Sequence, residues 1–572
     1  MTIALVALLL AAPAAAAAVT LAWIPQGTTV EQLAAAGLSP GLMSAGLGSV
    51  TAEQTYLDIT QGNRVFDSLY DSPLPATPTP VPLNQPLRDG TLIERGESAP
   101  AEIEPGLLAA ILGAAGRSFA VADLILPQLQ QRVGRLGDDD LLIAIERPPP
   151  ARDRALAIGI AGEGFDGNLT SDSTRLGGYV LSTDVAPSIL RRLGLAIPAP
   201  MSGQPIRAEG AIDPAAVTAL GARMAVISER RGPVIGVSLA LWLLALGLTL
   251  AVARGGAVAR QSVKLVGLAV VYMPLVLLLA AALEPGQTAE VLLTMLGSPA
   301  LAGLTLALVP GYRALAVAAA LTVLAYAVDV IAGSPLTSLS LLGPNPGLGV
   351  RFYGIGNELE ALLVVLVVAG TGAGLTGFLH ALSPPRAAAA FLVIGLAAAF
   401  VFAAGRFGAD VGAAIVFPVG AAVAAALVAG RRRRVLLLAL ALPIAALALL
   451  ALADLVSGAN AHLTRSVLDA GGLGDLADVA QRRLQLSARS FTRPIVFVFL
   501  PLILVLAGLA VVRRDRLEAW LEGRPAMRAG LLGAVAATVV GTLANDSGAL
   551  LLEIGAAYLL VFTGFAWAEA ER

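Results

Sequence analysis

The chain has 572 residues, 57% of them hydrophobic and 14% charged, with a net charge of −2. A soluble globular chain carries about 25% charged residues, so this is an integral membrane protein with length to spare for a water-facing domain. The near-neutral charge argues against a nucleic-acid partner. The absence of Cys excludes disulfides, thiolate zinc sites and Cys nucleophiles, and two His (His380 and His462) exclude a His-rich metal centre.

Residues 2–18 are apolar and Ala-rich, as in a signal-peptide core or an uncleaved anchor. A strand follows at 19–24. Across 19–230 charges return and apolar runs shorten. Strands are expected at 56–59, 141–145, 155–160 and 179–181, and helices at 30–36, 105–115 and 121–136. Alternating strand and helix signals predict an α/β domain. The Pro-rich piece 72–86 reads as a surface loop.

From 231 to 572 the chain reads as a polytopic helical membrane domain. Apolar runs of about 20 residues are long enough to span a bilayer core. They fall near 233–254, 261–283, 288–309, 313–333, 353–378, 386–404, 408–429, 433–455, 493–513, 526–544 and 547–567, about eleven spans besides the N-terminal apolar segment. Taken alternately, one set of short loops is basic: Arg254, Arg260 and Lys264, then Arg313, Arg386, Arg431 to Arg434, and Arg513 to Arg528. Those loops are expected to be cytoplasmic. The other set, the domain 19–230 and the 456–492 connection then face outward, and the C-terminus is cytoplasmic. An amphipathic segment at 476–488 either lies on the outer membrane surface or packs as a solvated loop helix.

This topology brings three polar stretches to one side. They are Arg351-Phe-Tyr-Gly-Ile-Gly-Asn-Glu358, Gly405-Arg-Phe-Gly-Ala-Asp410 and Asn545-Asp-Ser-Gly548. Polar groups at the mouth of a membrane helix are costly without partners. Glu358, Asp410 and Asp546 are the candidate catalytic groups. Arg351, Tyr353, Asn357, Arg406, Asn545 and Glu553 are the candidate substrate-binding groups, with Glu553 at the floor and Asp329 near the end of another span. Arginines there suit phosphate. Glu358, Asp410 and Asp546 suit a divalent cation such as Mg²⁺. Helix capping by Asn545, Asp546 and Asp410, with Glu358 in a first helical turn, is the competing explanation.

Residues 178–206 contain Ser-Thr-Asp184-Val-Ala-Pro-Ser-Ile-Leu, then Leu-Gly-Leu, Pro-Ala-Pro and Met-Ser-Gly203. This segment resembles the C-terminal part of alkaline-phosphatase-superfamily domains. The run at 121–145 resembles the helix and strand that precede that family's metal-binding turn. The resemblance implies an alkaline-phosphatase-like fold across 19–230. It does not carry over the metal ligands: no Asp follows the first strand in 23–28, Glu146-Arg-Pro-Pro-Pro150 stands where an Asp-His pair belongs, and the domain has no His. No zinc pair is expected, and two-zinc transfer needs such ligands.

The layout is similar to that of ethanolamine-phosphate transferases, and also to bacterial membrane proteins of no assigned activity with text like 351–358. It implies a bacterial plasma-membrane protein whose outward pocket handles a lipid-linked or phosphorylated envelope component, its phosphatase-like domain being non-catalytic. Its partners would be membrane lipids or a lipid-linked intermediate. If it is an enzyme, it is a membrane transferase with its site among the helices. An export transporter with discontinuous helices and a non-catalytic scaffold are the alternatives.

Overall fold

The computed structural model describes residues 19–46, 52–64, 104, 106–147, 155–253, 256–430, 441–442, 444–446, 484–494 and 496–570. The expected segments at 2–18 and 72–86, His462, Arg431 to Arg434, most of the span at 433–455 and most of the 456–492 connection lie outside them. The chain divides into two units. The first comprises Met1–Ala225 with Pro346–Phe352, and the second Val226–Asn345 with Tyr353–Arg572.

The first unit is α/β. Its elements are β1 (Val19–Ile24), α1 (Val30–Ala35), β2 (Ser39–Ser44), α2 (Ala52–Gln61), α3 (Leu107–Ala114), β3 (Ala120–Asp123), α4 (Leu126–Val133), β4 (Leu141–Glu146), β5 (Leu156–Gly162), β6 (Asn168–Thr170), β7 (Tyr179–Leu181), α5 (Val185–Arg192) and β8 (Arg207–Glu209). The six-stranded sheet has the order β3-β1-β4-β5-β2-β7, while β6 and β8 form a separate antiparallel pair. Strands β3, β1 and β4 pair in parallel, as do β2 and β7, and β5 runs antiparallel to its neighbours β4 and β2.

The two central strands, β4 and β5, are apolar except for Glu146 at the end of β4, because both sheet faces are covered. Alternate residues divide between the faces. Ile143, Ile145, Ile158 and Ile160 pack with Leu108 and Leu112 of α3 and Ile189 of α5. Leu142, Ala144, Ala157 and Ala161 pack with Leu33 of α1 and Leu129 of α4.

Two local expectations are corrected, and one strand lies where none is expected. Residues 56–59 lie in α2, not in a strand: Asp58 is fully buried and accepts from the Ser182 hydroxyl at 3.1 Å, so the apolar–polar alternation there does not mark a solvent face. The segment 121–136 is a strand followed by a short helix. Strand β2 was not expected, because Pro40 and Gly41 hide it; Gly41 is needed where a Cβ would sit 2.9 Å from the Leu169 Cβ.

The 178–206 segment forms a buried polar knot. The Asp184 carboxylate accepts from Ser171 Oγ (2.6 Å), Ser173 Oγ (2.5 Å), Leu181 N (2.9 Å) and Gln204 N (2.8 Å). Burial pushes the Asp184 carboxyl above its ordinary range, against the pull of these donors.

The second unit is helical. Pro214–Ala253, whose residues up to Ala225 belong to the first unit, is a continuous helix formed by α6 (Pro214–Arg231), a π turn at Gly232–Gly236 containing Pro233, and α7 (Val237–Ala253). It is followed by α8 (Ala257–Leu283), α9 (Gln287–Leu308), α10 (Tyr312–Ile331), α11 (Asn357–Gly377), α12 (Pro384–Ala403), α13 (Ala413–Val428), α14 (Val496–Val512), α15 (Arg514–Trp520), α16 (Pro525–Ala544) and α17 (Gly548–Glu569).

Among the described residues eight helices are long and apolar enough to cross a membrane. The α14–α15 pair, bent by 77°, makes a ninth if it is one broken span, and α13 is apolar but shorter. The protein is a multi-pass helical membrane protein. Helix α11 is the most enclosed, with 83% of its most apolar stretch buried. Small residues let backbones approach: a Cβ on Gly372 would lie 2.7 Å from Ala526 O on α16.

The ends of the bundle differ. At one end Lys264 pairs with Glu569, Arg524 donates to Glu569 O at 3.0 Å and Arg313 donates to Gly377 O at 2.8 Å. The loops read as basic thus meet where α11 and α17 finish. The polar stretches gather where those helices begin.

Candidate functional site at one end of the helical bundle

The site is built from loops that fold back on helix ends. Asp329, in the last turn of α10, accepts from Leu336 N (3.1 Å) and Thr337 N (2.7 Å) and so anchors the following loop. Ser334 of that loop accepts from Gly354 N at 3.0 Å. Gly354 has φ +77°, and Ile355 N donates to Gly408 O at 3.0 Å. The stretches 351–358 and 405–410 therefore meet, backbone against backbone.

Helix α11 starts just beyond, and Glu358 and Glu360 lie in its first turn, where the dipole favours carboxylates. Asn545, at the end of α16, holds its own turn by accepting from Ser547 N at 3.0 Å. Its amide donates to Asn357 Oδ1 (3.2 Å) and to Glu360 Oε2 (2.8 Å). The Asn357 amide donates in turn to Asp546 Oδ1 at 3.1 Å. One hydrogen-bonded chain thus runs from exposed Asp546 to Glu360, which is 0% exposed.

The Glu360 carboxylate rests on Gly412, where a Cβ would lie 2.6 Å from both oxygens. Below it lies a crevice lined by Val364, Val416, Ala537 and Leu551, too narrow for a water molecule. A helix at 484–490, where the expected 476–488 segment ends, packs on the same turn: Ser487 Oγ donates to Thr542 O (2.7 Å) and Ser490 Oγ accepts from Ala549 N (3.0 Å).

Of the expected residues, Asn357, Asn545 and Asp546 come together. Asp410 is buried, two positions before the glycine that seats Glu360. Glu358 turns elsewhere and pairs with Arg231 of α6 at 3.1 Å. The expected cation group of Glu358, Asp410 and Asp546 is accordingly not formed, and no group of three His, Asp or Glu that could hold a metal ion occurs among the described residues. Arg406 is exposed and Tyr353 half-buried. Arg351 belongs to the first unit. Glu553 is half-buried about one and a half turns into α17, and its Oε1 has no hydrogen-bond partner among the described residues. His380 is exposed.

The capping explanation holds for Glu358, in the first turn of α11, and Asn545 accepts from Ser547 N at the start of α17, but the N-caps of α13 and α17 are Gly412 and Ser547, not Asp410 or Asp546.

Sequence reasoning missed Glu360 and Arg231. Glu360 lies three residues after Asn357 and so shares its face, whereas Glu358 points away from that face. That spacing was the available signal. Arg231 carries none, because it lies 127 residues from Glu358 and reads as an ordinary flanking charge.

In the first unit Glu146, the last residue of β4, is buried. Both Glu146 oxygens accept from backbone, Oε1 from Gly27 N (2.8 Å) and Oε2 from Ala157 N (3.1 Å). No protein family, curated protein or solved structure matches the chain.

Proposed function

We propose that the acid-and-amide cluster at the start of α11 is an outward-facing site for a lipid-linked or phosphorylated component of the cell envelope. The observation that carries this reading is the Asp546–Asn357–Asn545–Glu360 chain, a charged group held deep among helices and linked step by step to an exposed carboxylate. A buried carboxylate in a membrane bundle is expensive and marks function. A ligand meeting it at a bundle end combines a polar head with a part that stays in lipid.

The first unit is, in this reading, a phosphatase-like module without the metal chemistry. The backbone-bound Glu146 and the residues of the 178–206 knot support that. Export transport is the second reading. The Lys264–Glu569 pair, nine-tenths buried at the other bundle end, favours it, since a transporter needs polar groups on both sides.

Orientation rests on the basic loops. They support a reading in which the site and residues 19–230 lie outside a bacterial plasma membrane and the C-terminus lies in the cytoplasm. The chain has no native Cys, so single-Cys labelling tests this directly. Ser338 is buried but Pro335 and Arg386 are exposed. Pro335→Cys should react with an impermeant maleimide from outside and Arg386→Cys only after permeabilisation. The reverse pattern would invert the protein and place the site in the cytoplasm.

Glu360→Gln tests the site. It keeps an oxygen for Asn545 but removes the charge, so insertion should be unchanged. A deletion strain should accumulate a lipid-linked or phosphorylated envelope species, seen by mass spectrometry of its lipid extract. Glu360→Gln should restore turnover of that species at roughly 100-fold below wild type, the low end of what a positioned acid or base contributes. Full complementation by Glu360→Gln would remove the site, and unchanged envelope lipids in the deletion strain would remove the substrate class.

A further inference from the structure

Asp329 is a carboxylate at the wrong end of its helix. It lies in the last turn of α10, which ends at Ile331, where the negative end of the dipole disfavours an acid. It is 7% exposed. Among the described residues its partners are the amides of Leu336 and Thr337, and no Lys or Arg pairs with it. The arginines of the second unit nearest in the chain to its outer end, Arg230 and Arg231, pair with Glu290 and Glu358 instead.

The loop that Asp329 anchors is a run of turns with oxygen atoms inside it. Ser338 N donates to Ser334 O (3.0 Å), Ser340 N to Thr337 O (3.3 Å) and Gly343 N to Ser340 O (2.9 Å). Thr337 and Ser338 are 0% exposed and Asn345 is 2% exposed. Yet Thr337 Oγ1, Ser338 Oγ and Asn345 Oδ1 have no hydrogen-bond partner among the described residues. The Asn345 amide nitrogen is fixed, donating to Ser228 Oγ at 2.7 Å. The turns bring the three residues together. Gly343 lies against Thr337, so a Cβ on it would collide with Thr337 O. Ser338 is the neighbour of Thr337, and Asn345 is two residues past Gly343, a reach of about 7 Å at most. Residues 226–345 all belong to the helical unit.

Buried oxygens without partners are costly and point to a bound water or ion. Water would satisfy the oxygens but leave the Asp329 charge without a counterion. A cation does both. The donors are oxygen only, as a hard cation requires, and a lone carboxylate among neutral oxygens matches a single positive charge. Ca²⁺ sites draw on more oxygens and more charge, and Mg²⁺ keeps several waters. In membrane bundles, alkali ions are held by carbonyls and C-terminal helix ends of this kind.

We propose that the loop after α10 holds a monovalent alkali cation. Thr337 Oγ1, Ser338 Oγ and Asn345 Oδ1 are its side-chain ligands and Asp329 its countercharge. The ion fastens the loop whose Ser334 receives Gly354 N, so it steadies one wall of the candidate site. It is independent of the ligand proposed for that site and measurable without it.

The experiment is thermal unfolding of the full-length protein in lipid nanodiscs, titrated with NaCl, KCl, MgCl₂ or CaCl₂ against choline chloride at constant ionic strength. The midpoint should rise and saturate with NaCl or KCl. Thr337→Val and Ser338→Ala each remove an oxygen that no protein hydrogen bond uses, so in choline chloride both should melt close to wild type. In each, half-saturation should need about tenfold more salt or beyond, since even an outer partner of a metal site is worth that much. Asp329→Asn should lose the response. It also disturbs the anchoring of Leu336 and Thr337, so the two hydroxyl variants carry the decision. A flat midpoint in NaCl and KCl, or an unchanged half-saturation in both hydroxyl variants, would overturn the site. A rise with MgCl₂ or CaCl₂ alone would overturn the assigned charge.

Discussion

Asp184→Ala should strongly destabilise the first unit. Two backbone donors, Leu181 N and Gln204 N, would lose their acceptor inside a closed core. Each buried unsatisfied donor costs about 1–3 kcal/mol, so these two alone cost about 2–6 kcal/mol, against a typical domain stability of about 5–15 kcal/mol. Pulse proteolysis of the full-length protein should show cleavage within 19–225 at much lower urea than wild type.

The same residue sets a pH dependence. Burial raises the folded-state pKa of Asp184, so the native state holds the proton more tightly than the unfolded chain, whose Asp titrates near about 3.9. The stabilisation is complete below that unfolded value and is lost as pH rises through the raised folded value. Ser171 and Ser173 can turn their hydroxyls to accept from the protonated carboxyl. The margin of wild type over Asp184→Asn should therefore be widest near pH 4 and narrow toward neutrality. A margin that grows with pH would mean that the four donors hold the carboxylate ionised.

The membrane half was legible because a helix in lipid must be long and apolar, and that needs no tertiary information. In the α/β unit, β4 and β5 were legible as continuous apolar runs. Strand β2 was not, since Pro40 and Gly41 answer to neighbours such as Leu169, which sequence does not reveal. Helix α2 misled because Asp58 is buried against Ser182, an arrangement made by the fold.

At the site, Asn357, Asn545 and Asp546 were visible as polar residues at helix mouths. That Glu360 and not Glu358 meets Asn545 is a matter of face. Two residues apart on a helix, they point in different directions, and only packing of α11 against α13 and α16 decides which is buried. Arg231 was invisible because its partner is set by tertiary folding, not by local spacing.

Gly354→Ala should be the most damaging single-methyl change at the site. Gly354 sits at φ +77°, and an added Cβ would lie 2.0 Å from Gly408 O and 2.7 Å from Gly408 C. Both atoms are backbone, fixed by the Ile355 N to Gly408 O bond, so no rotamer change relieves the clash. The left-handed conformation costs about 1–2 kcal/mol for an L side chain and overpacking about 1–3 kcal/mol, so roughly 2–5 kcal/mol falls on the loop that positions Asn357. Gly356→Ala is the control: its φ is −93° and its Cβ would meet only the Glu358 carboxylate at 3.2 Å, a flexible neighbour. Gly412→Ala lies between them, since the three atoms nearest its Cβ all belong to the Glu360 side chain. It should displace that carboxylate with little loss of stability and so separate site geometry from folding. Thermal unfolding of the purified proteins and complementation of the deletion strain should rank the three in function as Gly356→Ala near wild type, Gly412→Ala impaired but stable, and Gly354→Ala impaired and unstable. If Gly354→Ala melts with wild type and complements fully, the 351–358 and 405–410 stretches are not packed together in the working protein, and the site has to be rebuilt without that contact.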